Sequence, residues 1–170
     1  FNVRPEGLLK IIRELEDFDL FWLEIDHNNP ESLAYIRSKS PFPIASCETL
    51  LSGGQYQRYL QAQSIDIAII DAIWNGVWQS MKIAAIANTY DVNIAPHNFY
   101  GHLATMINAH FGAAVPNFRI LETDVDRLPW DKDLFPEVPL IKDSYLILPN
   151  KPGWGCDPDE DVLRSRPVKS

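Results

Sequence analysis

Short apolar runs alternate with longer amphipathic segments over the first 125 residues of the chain. The apolar runs predict five buried strands, namely LFWLE, PFPIASCE, IAIID, VNIAPH and FRILE. The intervening segments carry apolar residues at helical spacing, so each predicts a helix of about ten residues. Because apolar residues are continuous in the runs rather than alternating, the pattern indicates a parallel sheet covered by helices.

The predicted helices carry recognisable boundary signals. Pro5 opens an amphipathic helix ahead of the first strand, and Asn29 with Pro30 forms the N-cap and first-turn pair of the next helix. The Gly53-Gly54 pair and the Asn75-Gly76 pair interrupt the chain before two further helices. The apolar faces expected to pack inward are Leu8, Ile11, Ile12 and Leu15; Leu33, Tyr35 and Ile36; Tyr56, Tyr59 and Leu60; and Leu103, Met106, Ile107 and Phe111.

The repeat predicts an α/β fold of the (β/α)8, or TIM-barrel, type. A complete barrel needs about 250 residues, so residues 1–125 of this 170-residue chain are expected to form only part of one. Residues 126–170 are rich in Pro and Asp and contain one strand-like run, SYLILP. We expect them to form an irregular C-terminal extension that packs on the barrel or on a capping domain.

Composition argues against several classes of function. The net charge of -8 and the pI near 4.9 disfavour nucleic-acid binding. No apolar stretch reaches the roughly 20 residues of a membrane span, and the first residues lack the pattern of a signal peptide. Cys47 and Cys156 are too few for a disulfide framework. The expectation is a cytoplasmic protein without membrane or nucleic-acid partners.

Five titratable residues occur at the predicted strand ends, 23 to 26 residues apart: Glu24, Glu48, Asp71, His97 and Glu122. Parallel strands in a β/α repeat all end on one face of the sheet, so these side chains are expected to converge. The carboxyl ends of the strands are also where (β/α)8 enzymes place their active sites.

Glu24 and Glu48 follow neighbouring strands, which lie about 4.8 Å apart, so their carboxylates can share a cation. Two oxygen ligands without thiolates favour Mg²⁺ or Mn²⁺ over Zn²⁺. The alternative is that each carboxylate is simply solvated. A further alternative is a glycosidase that uses the two residues as its pair of carboxyl groups.

Asp71 and His97 also follow neighbouring strands and can form a carboxylate–imidazole dyad for acid–base catalysis. Alternatively, each caps the helix that follows it. Glu122 either stays protonated near the metal and donates a hydrogen bond, or forms a buried salt bridge. Trp74 is expected to wall a substrate pocket. The other four tryptophans are core candidates, and His27, His102 and His110 have loop or packing roles.

Several segments, in order, resemble the C-terminal half of the barrel in the enolase superfamily: WLEID, ASCETL, DIAIIDAIWNG, SMKIAAIANTYDV, NIAPHNFYGHL and PNFRILE. The likeness is to the mandelate racemase branch, particularly acid-sugar dehydratases of the galactonate type. PNKPGWGCDPDED resembles a segment near the C-terminus of those enzymes. The resemblance extends from about Phe1 to Asp161 and implies about strands 4 to 8 of a (β/α)8 barrel.

The resemblance implies that Glu24 and Glu48 bind Mg²⁺, that Asp71 and His97 form the dyad, and that Glu122 supplies another carboxyl group. It implies a dehydratase of a sugar acid, a small carboxylate from which a base takes the α-proton and an acid helps to expel the β-hydroxyl. The product is a 2-keto-3-deoxy acid, and the intact enzyme is expected to be a homo-oligomer.

The chain also departs from the family pattern. Such enzymes take a third metal carboxylate, and a Lys or His, from strands that would precede Phe1. Asp26-His27 and Asn75-Gly76-Val77 also differ from the residues usual in the family at these positions. A racemase or cycloisomerase of the same superfamily, and a truncated non-catalytic fragment, are therefore alternatives to the dehydratase.

Overall fold

Four parallel strands form one sheet in the computed structural model, which describes residues 3–137 and 139–166. In sheet order these are β1 (Leu23–Glu24), β2 (Ile44–Ser46), β3 (Ile67–Ile70) and β4 (Asn93–Pro96). Strands that are consecutive in sequence are also neighbours in the sheet, and each pair is parallel. The first four predicted strands and their parallel arrangement are therefore confirmed.

Helices precede, connect and follow these strands: α1 (Pro5–Glu14), α2 (Pro30–Lys39), α3 (Gly53–Gln61), α4 (Ala72–Asn75), α5 (Val77–Asn88) and α6 (His102–Ala113). The start of α2 is as predicted, because the Asn29 side chain accepts a hydrogen bond from the backbone N–H of Ser32 at 2.6 Å. Gly76 separates α4 from α5 at φ +74°, a conformation that favours glycine.

Both faces of the sheet are buried, which explains why the strands are apolar throughout. One face joins the main core beneath the helices through Ile44, Ala68, Ile70 and Ile94. The opposite face forms a smaller cluster, against which Trp22 packs, made of Ala45, Ile67, Ile69 and Ala95. Along β3, Ala68 and Ile70 point into the main core, and Ile67 and Ile69 point into the smaller cluster. This alternation is the one expected of a β-strand.

The prediction of FRILE as a fifth regular strand is wrong, because it forms only one parallel bridge, between Ile94 and Phe118. Within residues 3–137 and 139–166, this segment has no further strand on its other side, so the ladder is not extended. Its end is held instead by Asn98, whose side-chain amide donates to the backbone carbonyl of Glu122 at 2.8 Å.

The expected helix faces are only partly buried. Ile11 in α1 and Tyr35 in α2 are about half exposed, so these helices bury narrower faces than predicted.

The prediction that four tryptophans lie in the core is also wrong. Trp22 and Trp130 are half-buried, and Trp78 and Trp154 are exposed.

The C-terminal segment forms short elements: α7 (Asp131–Leu134), the antiparallel pair β5 (Leu140–Lys142) and β6 (Tyr145–Ile147), and α8 (Glu160–Ser165). The strand-like run SYLILP supplies β6, whereas its partner β5 was not predicted. Phe135 and Cys156 of this segment pack against Met106 of α6.

The part of the chain that the structure describes contains no helix with the length and apolar character needed to span a bilayer.

His102, the first residue of α6, is buried where α6 meets α7. Its Nε2 lies 3.9 Å from a carboxylate oxygen of Asp131, and its ring packs edge-on against Phe135. Burial, together with the positive charge of Arg127, lowers the pKa of His102, and Asp131 offsets this only in part. The folded protein therefore favours the neutral imidazole.

The close contact between α6 and the FRILE segment predicts the effect of substitutions at glycine. A Cβ on Gly112 would lie 2.7 Å from the ring of Phe118, whereas a Cβ on the helical Gly54 would meet nothing within 4 Å. Gly112→Ala should therefore lower the free energy of unfolding by about 1–3 kcal/mol. Gly54→Ala should raise it slightly, by up to about 1 kcal/mol. Urea denaturation measures both, and equal effects of the two substitutions would contradict the packing described.

The environment of His102 predicts a pH dependence of stability. Because its pKa is lower folded than unfolded, its contribution is complete above the unfolded value of 6.5 and is lost as pH falls through the folded pKa. His102→Gln cannot titrate, so this variant should lose less stability than the wild type between about pH 8 and about pH 5. Urea denaturation at both pH values measures the difference. Identical pH dependence in the two proteins would show that His102 is not responsible.

Candidate active site

The five predicted site residues follow the strands in sheet order. Glu24 ends β1, Glu48 follows β2, Asp71 and His97 come directly after β3 and β4, and Glu122 follows the FRILE bridge. The structure brings Glu48, His97 and Asp71 into one chain of contacts, and Glu24 lies close enough to Glu48 for their charges to interact. Glu122 joins this group through the segment after β4.

Asp71 is fully buried, and its two carboxylate oxygens serve different partners. Oδ1 accepts hydrogen bonds from the backbone N–H groups of Ile73 and Trp74, at 2.8 and 2.7 Å, and so caps α4. Oδ2 lies 2.8 Å from Nδ1 of His97. Capping and pairing with the imidazole, which the sequence left as alternatives, therefore occur together.

His97 lies between two carboxylates rather than beside one. Its Nε2 is 3.6 Å from a carboxylate oxygen of Glu48, on the side opposite Asp71. Burial of the ring would lower the pKa of His97, but the hydrogen bond to Asp71 and the charges of Glu48, Glu122 and Asp71 outweigh it and raise the pKa. His97 does not cap α6, whose N-cap is Gly101.

Two aromatic rings flank His97. Trp74 meets it edge-on at a centroid distance of 6.2 Å and is 55% exposed, a position consistent with the predicted pocket wall. Tyr100, which the sequence reasoning missed, packs edge-on at 5.6 Å and donates its hydroxyl proton to Oδ2 of Asp71. Its place in the loop after β4, three residues beyond His97, is the signal that could have identified it.

Glu24 and Glu48 are close enough for each carboxyl group to influence the pKa of the other. Although Glu24 keeps an exposed surface, burial of its carboxyl group, followed by the charges of Glu48, Glu122 and Asp26, raises its pKa to about 7. Burial and then the charge of Asp26 also raise the pKa of Glu48, despite the opposing effect of His97. Asp26 is a further acidic neighbour that the sequence reasoning did not place in the site.

Glu122 faces the same cavity as Glu24, with a volume of about 240 Å³ between the sheet and the FRILE segment. One of its carboxylate oxygens accepts a hydrogen bond from the backbone N–H of Asn98 at 2.7 Å. It forms no ion pair with any Lys, Arg or His of the described residues, so the salt-bridge alternative is wrong. Asn98 is another contributor that the sequence did not reveal.

The carboxylates fit a hard divalent cation in their chemistry but do not form a complete site. Glu24 and Glu48 supply oxygen ligands of the type that Mg²⁺ prefers, and a cation between them would offset the burial and the neighbouring negative charges that raise the pKa of Glu24. Residues 3–137 and 139–166 contain no group of three or more His, Cys, Asp and Glu side chains arranged to hold a metal ion. Further ligands would have to come from water, substrate or other parts of a longer protein.

The other two histidines lie apart from this group. Nδ1 of His27 accepts a hydrogen bond from the backbone N–H of Asn29 at 3.2 Å, within its own loop. His110 packs against Trp154 of the C-terminal segment. These contacts agree with the loop and packing roles expected for them.

Comparisons with known proteins agree with the arrangement of strands and strand-end residues. The chain is 31% identical over 163 residues to D-xylonate dehydratase of Haloferax volcanii, covering 94% of this chain and 40% of that enzyme. A solved structure from Burkholderia xenovorans LB400, provisionally named an L-alanine-DL-glutamate epimerase and bound to magnesium and fumarate, is 59% identical. It matches with a TM-score of 0.95 over 98% of this chain and 42% of that chain.

A provisionally named galactarate dehydratase from Agrobacterium radiobacter, with Na and L-malate bound, is 28% identical. Its TM-score is 0.87, over 95% of this chain and 45% of that chain. The present chain thus spans less than half the length of each of these relatives. The resemblance to the enolase superfamily and its mandelate racemase branch is confirmed by these matches.

The match to a family model gives the same assignment independently. The model described as enolase C-terminal domain-like covers residues 2–162, which is nearly the whole chain. The sheet order and the row of strand-end carboxylates accord with that assignment. The chain therefore belongs to the enolase C-terminal domain-like family.

Proposed function

We propose that the chain forms about strands 4 to 8 of a (β/α)8 barrel, with the FRILE segment at the position of strand 8, in a Mg²⁺-dependent enzyme that dehydrates a sugar acid. In this proposal residues 1–125 belong to the barrel, and residues 126–170 form an extension that packs on it. The observation that carries the proposal is the position of the His97 ring, 2.8 Å from Asp71 and 3.6 Å from Glu48, at the carboxyl ends of the strands. The names of the dehydratase relatives support the choice of substrate class.

His97 is proposed to carry the proton that the reaction moves. Because Asp71 occupies Nδ1, the exchangeable proton is on Nε2, which faces Glu48. Tyr100 donates to the same oxygen of Asp71 and helps to fix the orientation of the carboxylate. The raised pKa of His97 keeps more of the ring protonated near neutral pH, as a general acid requires.

In the dehydration step, Nε2 of His97 gives its proton to the β-hydroxyl group, which leaves as water. A base removes the α-proton of the substrate, and His97 can itself take this role when neutral. The resulting enol gains a proton at the β-carbon and becomes a 2-keto-3-deoxy acid, so the net change is the loss of one water. Glu122, held by Asn98, faces the cavity and is proposed to hydrogen-bond the substrate.

Glu24 and Glu48 are the residues that would hold Mg²⁺ or Mn²⁺, together with ligands from elsewhere in a longer protein. When bound, the cation would stabilise negative charge that develops on the substrate carboxylate. The magnesium in the Burkholderia structure and the sodium in the Agrobacterium structure support a cation in this family. Glu48 also helps to orient His97, because its carboxylate contacts Nε2 of the ring.

A second candidate activity is epimerisation or racemisation at the α-carbon. It is favoured by the Burkholderia relative, which is 59% identical and provisionally named an epimerase. Both activities begin by removing the α-proton of a carboxylate. They differ in whether that carbon is then reprotonated or a β-hydroxyl group is lost.

Substitutions in the full-length protein should separate acid–base chemistry from metal binding. His97→Asn removes the proton carrier and should lower turnover by at least about 100-fold, while Mg²⁺ affinity stays within about 3-fold. Glu48→Gln should weaken Mg²⁺ binding by at least about 10-fold, because it removes a charged ligand. Steady-state kinetics and titration calorimetry measure the two effects. Full turnover in His97→Asn would rule out its proposed role.

The fate of the α-carbon should distinguish the two candidate activities. In D₂O, a dehydratase should convert a sugar acid such as D-xylonate into a 2-keto-3-deoxy acid that carries deuterium at the β-carbon. An epimerase should return the acid or amino-acid derivative with deuterium at the α-carbon and no loss of water. Proton NMR and a carbonyl-trapping assay measure both. Deuterium exchange at the α-carbon without any keto acid, across a panel of sugar acids, would overturn the dehydratase assignment.

A further inference from the structure

Cys47, immediately before Glu48, adopts a backbone conformation that residues with a side chain rarely occupy. Its φ is +93°, and its side chain is almost fully buried in the main core. A Cβ makes positive φ unfavourable, whereas glycine adopts it without that penalty. Such a conformation persists only where surrounding contacts hold it in place, and it is common beside functional groups.

Both peptide groups of Cys47 are held by side chains. Its N–H donates to a carboxylate oxygen of Asp26 at 3.2 Å. Its carbonyl accepts a hydrogen bond from the hydroxyl group of Tyr56 at 2.9 Å and another from the backbone N–H of Leu50 at 3.0 Å. The second bond closes a turn from Cys47 to Leu50, and Glu48 lies in that turn.

Tyr56 connects this turn to the neighbouring strand. It is fully buried on α3, and its hydroxyl oxygen also lies 2.8 Å from the backbone carbonyl of Ile69, in β3. A tyrosine hydroxyl carries one proton, so the two carbonyl groups share it. Ile69 lies two residues before Asp71, and Tyr56 therefore joins the strand end that carries Glu48 to the one that carries Asp71.

We propose that Tyr56 is a positioning residue that holds Cys47 in its left-handed conformation and thereby directs Glu48 toward Glu24 and His97. Without the hydroxyl group, the Cys47 carbonyl loses a buried donor, and the backbone can relax to negative φ. That change rotates the peptide between Cys47 and Glu48 and moves the Glu48 carboxylate away from Glu24 and His97. The part of this inference that concerns Mg²⁺ rests on the proposed function.

Tyr56→Phe tests the inference with the smallest change, because it removes the hydroxyl group and keeps the ring. In the full-length protein, it should weaken Mg²⁺ binding by roughly tenfold, the effect expected from losing one buried hydrogen bond. Tyr90→Phe is the matched control, because Tyr90 is 39% exposed and precedes β4, at the opposite edge of the sheet. It should leave Mg²⁺ affinity unchanged in titration calorimetry.

A second substitution separates positioning from general damage to the core. Cys47→Gly favours positive φ without help from Tyr56, so it should keep Mg²⁺ affinity close to that of the wild type. The double variant, Tyr56→Phe with Cys47→Gly, should recover affinity to within about threefold of the wild type. A double variant as weak as Tyr56→Phe alone would overturn the inference. If Tyr56→Phe does not fold, a folded double variant supports the inference, and an unfolded one overturns it.

A third measurement does not depend on the metal. The Cys47 thiol is buried and poorly accessible, so alkylation should be slow in the wild type. Tyr56→Phe should speed alkylation of Cys47 at least fivefold, measured by peptide mass spectrometry, and Tyr90→Phe should not. If the wild type binds no Mg²⁺, the proposed function fails, and the alkylation result still decides the role of Tyr56. Unchanged alkylation in Tyr56→Phe would overturn that role.

Discussion

The parallel pairing of β1 through β4 determines the position of four of the five candidate site residues in this protein. Because the strands run in one direction and are ordered as in the sequence, Glu24, Glu48, Asp71 and His97 emerge at one edge of the sheet. Apolar residues on both faces of the strands hold this arrangement from either side. The site is therefore a consequence of the same burial that forms the sheet.

The site concentrates negative charge, and a single imidazole offsets only part of it. The effects on pKa show this imbalance, since the pKa values of Glu24, Glu48 and His97 are all raised. A divalent cation would lower the pKa of the two carboxyl groups. Asp71 is different, because two backbone N–H groups and two side-chain donors surround its buried carboxylate. Both oxygens of Asp71 are hydrogen-bonded within the protein, whereas the carboxylates of Glu24 and Glu48 accept no hydrogen bond from the described residues.

The sequence predicted these strand ends well because runs of buried residues and helical periodicity are local signals. It did not reveal Tyr100, Asn98 or Asp26, whose roles depend on contacts between loops that only the fold brings together. It predicted a regular strand at FRILE, which forms only one bridge. Regular pairing requires a neighbouring strand, and an apolar run alone does not show whether one is present. The dyad was predictable from spacing, but the simultaneous capping by Asp71 was not, since each of its oxygens serves a separate partner.

The account depends on Glu24 and Glu48 acting together as ligands of one divalent cation beside His97. A crystal structure of the full-length protein grown with Mn²⁺, with the metal located by anomalous scattering, tests this most directly. We expect one strong anomalous peak, bound by carboxylate oxygens of both residues, with the His97 ring facing the same space. A fully occupied metal bound elsewhere, with the Glu24 and Glu48 carboxylates turned apart, would contradict it.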